Sequence, residues 1–220
     1  MDGETMDPTV LERLSIAVEK SNLLTDWERG FVESLHEQFN KRGRLSLRQI
    51  EILERIENDK LSDSALEKRN HWLSNYSDEH RRIARVCAEY YNITGYFTNL
   101  ADNIINDPNF IPAEKAWKKM CENKYAKKVI AEHDAVPKYP AGSLVSFRAT
   151  ANWNHKQASK GMPCVVLSAG GTIKSAAKGS KPYKILPFGS ATAIDCEERH
   201  LKKCKNPKKV KKVVDNSVPF

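Results

Sequence analysis

The chemistry most open to this sequence is recognition of negative charge by lysine. Arg148, Lys156, Lys160, Lys174, Lys178, Lys181 and Lys184 are spread over residues 148–184, and Lys202, Lys203, Lys205, Lys208, Lys209, Lys211 and Lys212 make seven lysines in the eleven positions of 202–212. A nucleic-acid backbone offers negative charge at regular intervals, and a protein that neutralises it gains from the release of condensed counterions. Residues 141–220 hold thirteen lysines but only two arginines, Arg148 and Arg199. An ammonium is a point charge without the bidentate fork that reads guanine edges, so the expected binding follows the backbone and selects sequence weakly. Trp153 and His155 add rings that can stack on an unpaired base. The competing use of the same lysines is electrostatic steering onto an acidic surface of a host protein, as an inhibitor or adaptor, with Trp153 and Tyr183 as anchors.

Other constellations are thin. Cys196-x3-His200-x3-Cys204 has zinc-ligand types at helical spacing, with Cys164 or His155 available as a fourth. The usual Cys-x2-Cys knuckle is missing, so neither a metal nor another cofactor is expected. Gly170-Gly171 lacks the Gly-Lys-Ser/Thr of a phosphate loop and reads as a hairpin turn. The six histidines are scattered, and the carboxylates of the Glu-rich helices fall into no nuclease, kinase or polymerase spacing. A non-enzymatic protein is therefore expected; the third reading, a small hydrolase or nuclease, would need a site assembled only in space.

The elements that must position these residues follow from composition and period. Hydrophobic content of 40% with 29% charged residues excludes a wholly disordered chain. No apolar run reaches the roughly 20 residues of a membrane span. The start of the chain is acidic and polar, and five scattered cysteines fit a reducing compartment, so a cytoplasmic protein is expected. Charge divides sharply: residues 1–140 hold 21 Lys+Arg against 24 Asp+Glu, whereas 141–220 hold 15 against 4. The basic end is where a polyanion would bind.

Residues 1–133 read as a helical domain of five or six helices. Asp7-Pro8, Asp26, Ser46, Ser62 and Ser77 are candidate caps, and Gly43 is a stop signal. Trp27, Phe31, Leu35 and Phe39 recur every four residues. The period that begins at Ser77 runs on past Gly95 to Ile104 or Ile105, and Pro112 opens a helix with Trp117, Met120, Tyr125 and Val129 on its buried side. Prolines and a glycine in 134–142 make a linker. Beyond it, Leu144–Arg148, Pro163–Ser168, Tyr183–Phe188 and Ala191–Ile194 read as short strands of a small antiparallel β-barrel over 143–203, with long Lys-, Ser- and Gly-bearing loops at Ala149–Gly161 and Gly170–Lys181. Residues 204–220 are a basic tail, too charged to bury and expected to be disordered without a partner. The fold class is α+β.

Two resemblances accompany this reading. Trp27–Leu35 followed by Leu45–Ile56, then Phe110-Ile111-Pro112 and Glu122–Val129, resembles a helical module that recurs in phage-encoded DNA-processing proteins, over about 25–130. Gly142–Phe147, Gly161–Leu167 and a closing Glu197–Lys202 resemble an SH3-like barrel of the KOW type, over about 140–203. The first resemblance implies DNA in preference to RNA and a protein partner for the helical domain. The second implies a nucleic-acid or ribosome-associated surface on the barrel, although the same fold also binds peptides.

Overall fold

A computed structural model describes residues 9–204. The expected Asp7-Pro8 cap and the lysines from Lys205 onward lie outside the described residues. Contacts within the chain form two compact units, one ending at Asn75 and the other beginning at Tyr76. The division by contacts differs from the division by secondary-structure type, because the second unit joins helices to the sheet.

The first unit contains α1 (Val10–Glu19), α2 (Asp26–Arg42), α3 (Leu47–Ile56) and α4 (Asp63–Asn75), with a single π-helical turn at Glu57–Leu61 between the last two. Local chemistry sets the starts. Thr9, Thr25 and Ser46 each accept from the N3 backbone N–H while the N3 side chain (Glu12, Glu28, Gln49) bonds back to the cap, a reciprocal arrangement that satisfies two orphan donors. Gly43, in the left-handed region, ends α2 as expected. Leu14, Val32, Leu35, Leu53 and Ile56 form the centre of this unit's core. Trp27 stays outside it, 61% exposed with its ring stacked on Phe31. A four-residue repeat drifts about 40° per step around a helix of 3.6 residues per turn, which carries the far end of the series off the buried stripe.

The second unit opens with α5 (Asp78–Thr94), α6 (Thr98–Asn106), α7 (Glu114–Cys121) and α8 (Lys124–Asp134). The helix expected to run through Gly95 stops there: Gly95 has φ +77° and caps α5, and the apolar period resumes in α6 as a separate helix. Among the described residues the helices before the sheet therefore number eight, more than the five or six expected. Trp117, Met120 and Val129 are buried as expected, but Tyr125 is half exposed. The four helices pack as pairs, α5 against α6, α7 and α8.

Strands β1 (Leu144–Phe147), β2 (Cys164–Ala169), β3 (Pro182–Pro187), β4 (Ile194–Glu197) and β5 (Leu201–Lys203) form one antiparallel sheet in the order β4-β3-β2-β1-β5. A helix, α9 (Trp153–Ser159), fills the loop after β1, and a 3-10 turn at Glu198–His200 leads into β5. The sheet is not closed into the expected barrel: β4 and β5 are its two edges, and no ladder joins them among the described residues. Edge strands of four and three residues leave few backbone groups with which to pair across the gap. The fourth strand also begins later than expected, at Ile194 instead of Ala191. Val145, Cys164, Val166, Tyr183, Ile185, Cys196 and Leu201 pack with Tyr139 into the sheet's core.

Three bonds tie the long loop between β2 and β3 to the helices of the same unit. Thr172 Oγ1 donates to Glu89 on α5 (2.9 Å), Gly179 N–H donates to Glu132 on α8 (2.9 Å), and the Lys181 ammonium donates to the His133 carbonyl (2.8 Å).

Candidate nucleic-acid interface

Charge changes at the start of the strands: residues 76–140, the helical part of the second unit, hold 10 Lys+Arg against 9 Asp+Glu, and residues 141–220 hold 15 against 4. Residues 1–75 hold 11 Lys+Arg against 15 Asp+Glu, and residues 76–220 hold 25 against 13. The second unit thus carries a balance of +12 beside −4 for the first.

Within it, a groove of about 750 Å³ runs along β1 and β5 and is walled by Lys138, Tyr139, Ser143, Arg148, Lys202 and Lys203, among others. The β1–β5 ladder, with Ser146 opposite Lys202 and Val145 opposite Lys203, brings the two lysines to this wall. Arg148 is fixed by its own strand end: its backbone N–H donates to His200 O (2.8 Å) and its Nε to Leu201 O (2.7 Å). Lys138 is held from behind. Its N–H donates to Glu198 Oε2 (3.0 Å), the Tyr183 hydroxyl donates to the same oxygen (2.9 Å), and the next N–H, of Tyr139, donates to the Tyr183 hydroxyl (3.1 Å). Burial, and then the Glu198 carboxylate, push the Tyr183 phenol up to about 12. Four cations from the 66 residues of 138–203 so converge on one groove, which suits the spaced charges of a phosphate chain.

The remaining candidates from sequence fall in three other places. Trp153 begins α9 and is 66% exposed, while Lys156 of the same helix bonds the Ala149 carbonyl (3.0 Å) and Lys160, in the left-handed region, ends it. His155 does not project with Trp153; its ring stacks on Phe147 and lies 5.6 Å from that of His200, whose imidazole burial holds below its usual range. Lys174 and Lys178 are exposed on the loop pinned to α5 and α8 and do not line the groove. Lys181 is only 4% exposed. Its charge is spent on the His133 carbonyl, a structural use that its sequence context does not signal. Lys181→Met is expected to leave oligonucleotide affinity within about two-fold of wild type, measured by anisotropy beside Lys202→Gln; an equal loss at both positions would put Lys181 at the interface instead.

A second groove, of about 430 Å³, is lined by Tyr76, Arg81, Arg82, Arg85, Ile104 and Phe110, among others. Its arginines are already engaged: Arg81 donates to the Pro108 carbonyl, Arg82 forks onto Glu79 and Asp134, and Arg85 bonds Glu89 and the Ile105 carbonyl. The Arg82 guanidinium holds both partner carboxyls below the usual carboxylate range. These contacts fasten α5 to its neighbours and make a poor phosphate site.

The thiols considered for a metal lie in or beside the sheet core. Cys164 and Cys196 are buried, and burial pushes them up to about 11 and about 12. Among the described residues no three His, Cys, Asp or Glu side chains are grouped to hold an ion. Likewise, no helix among them is long and apolar enough to cross a membrane.

No protein-family model, curated protein or solved structure matches the chain.

Proposed function

We propose that this protein is a non-enzymatic nucleic-acid-binding accessory factor of phage type. It grips a phosphate backbone through the groove along β1 and β5 and through the lysine-rich segment that follows, and its acidic first unit engages a protein partner. The observation that carries the reading is the convergence of Lys138, Arg148, Lys202 and Lys203 on one groove, at the point where the chain runs on into Lys205–Lys212. The connectivity supports an SH3-like relationship: four strands in a meander, then a 3-10 turn that returns the last strand to the outer side of the first. In the first unit, the exposed Trp27 and the 81% exposed Leu47 are apolar groups without a core role, the kind of anchor that protein interfaces use. DNA is favoured over RNA because the helical resemblance is to DNA-processing proteins.

The test is affinity for single-stranded DNA, duplex DNA and structured RNA at low and physiological salt, for the full chain and for one ending at Cys204. That end point keeps β5 whole, including the bond from Cys204 N–H to the Leu144 carbonyl. Salt-steep binding that weakens on truncation is expected. Absence of binding beyond the non-specific level would sink the proposal and move the lysines to the alternative use, docking on an acidic protein surface.

A further inference from the structure

Tyr125 and Tyr96 are exposed, 50% and 68%, although both come from apolar-patterned helical sequence. Both act electrostatically on one buried phenol. Tyr90 is raised above its ordinary value chiefly by burial, and further by the Tyr125 and Tyr96 hydroxyls beside it. The two exposed rings also share a stiff foundation. Gly95 (φ +77°) and Phe97 (φ +53°) flank Tyr96 in the left-handed region, and for phenylalanine that conformation is uncommon enough to need an external hold. The hold is Tyr91, whose ring meets that of Phe97 edge-on at 4.9 Å. The Tyr91 hydroxyl is hydrogen-bonded to the Asn123 side chain, and Asn123 Oδ1 caps α8 by accepting from the N–H groups of Tyr125 and Ala126. One chain of packed and bonded groups therefore fixes the corner bearing Tyr96 and the helix start bearing Tyr125.

Positive charge borders these rings. Residues 115–128 contain six lysines and one acidic residue, Glu122. Lys124 and Lys128 are exposed beside Tyr125 on α8, one position before it and three after it, and the Lys124 ammonium stands 5.0 Å from the Tyr125 ring centroid. Flat rings set among exposed ammonium groups match an unpaired strand, whose bases present π-faces and whose backbone presents charge; a duplex hides its bases from such rings. We infer that Tyr96 and Tyr125, with Lys124 and Lys128, form a stacking platform for single-stranded nucleic acid, separate from the β1–β5 groove. The inference rests on the nucleic-acid reading above but uses none of its residues.

The test compares a labelled fifteen-nucleotide oligo-dT with its duplex, by anisotropy, on the full chain. Three variants are needed: Tyr96→Ala with Tyr125→Ala, the corresponding pair of phenylalanines, and Lys202→Gln with Lys203→Gln as the groove reference. The alanine pair is expected to weaken oligo-dT binding roughly 10- to 100-fold and to spare the duplex, and the phenylalanine pair to restore the loss. Both tyrosines are exposed, so a thermal melt should show the alanine pair folded. Retention of oligo-dT affinity within about two-fold, while the groove reference loses it, would overturn the platform and leave the groove reading intact. Equal losses on strand and duplex would also overturn it. A wild-type chain that binds neither oligonucleotide would bring down both readings together.

Discussion

Replacing Lys138, Lys202 and Lys203 together by glutamine is expected to flatten the salt dependence of duplex binding by about 2.7 in the slope of log K against log salt, since each neutralised phosphate contributes about 0.9. At about 50 mM salt this corresponds to a loss of roughly 100- to 1,000-fold, shrinking as salt rises. The loss should be the same for unrelated sequences, because point charges on a groove wall contact backbone and not base edges. All three side chains are exposed and none holds the sheet together, so the melting temperature should barely move. Arg148 is left in place on purpose. Its Nε bond to the Leu201 carbonyl fastens β5 to the end of β1, and its removal would confuse loss of charge with loss of the strand. The same three positions changed to arginine keep the charge and should keep the slope. If the glutamine variant retains the wild-type slope, the groove is not where the backbone lies.

The parts of this architecture that sequence makes legible are those decided within a few residues. Ser46 and Ser77 announce helix starts because the partner that completes each capping box, Gln49 or His80, lies three positions on, whereas α2 is capped by Thr25 and not by Asp26 as expected. Gly43 announces an end for a similarly local reason. Legibility fails where a distant segment decides. The apolar pattern continues unbroken across Gly95 because α5 and α6 both bury residues in the same unit, and the left-handed backbones of Gly95 and Phe97 separate them. Tyr125 fits a buried period but lies at the margin of the stripe formed by Ala126, Val129 and Ile130. Closure of the sheet is likewise a question of what β4 and β5 meet, which no local pattern encodes. The candidate interface divides in the same way. Arg148, Lys202 and Lys203 are visible as charges, yet it is the β1–β5 ladder that makes them neighbours. Lys138 is hidden in a stretch that reads only as linker, and Lys181 has the composition of a surface residue but is used inside.

Tyr183→Phe is expected to cost the second unit about 1–3 kcal/mol at neutral pH, the usual penalty for leaving a buried donor unpaired. The hydroxyl is the acceptor for Tyr139 N–H and a donor to Glu198, and phenylalanine fills the same space without serving either. The pH dependence identifies the cause. With the folded phenol pushed up to about 12 and an unfolded value near 10, the folded state holds the proton more tightly. Its stabilising contribution is therefore complete below about pH 10 and is lost as pH rises towards about 12. Wild-type stability should fall across that window. Part of the fall will persist in the variant, since burial also raises Tyr76, Tyr90 and Tyr91. The gap between the two proteins is the diagnostic quantity: widest near neutrality, it should narrow between pH 10 and 12 in thermal melts. A gap that stays constant would mean the cost comes from packing and not from the bonded hydroxyl. The same substitution also loosens the segment at Lys138–Tyr139, which loses the Tyr139 N–H bond and keeps the Lys138 N–H bond to Glu198. Oligonucleotide affinity at neutral pH should fall with it, though less than on removing the lysine charges, because the variant keeps every cation and loses only the fixed position of one.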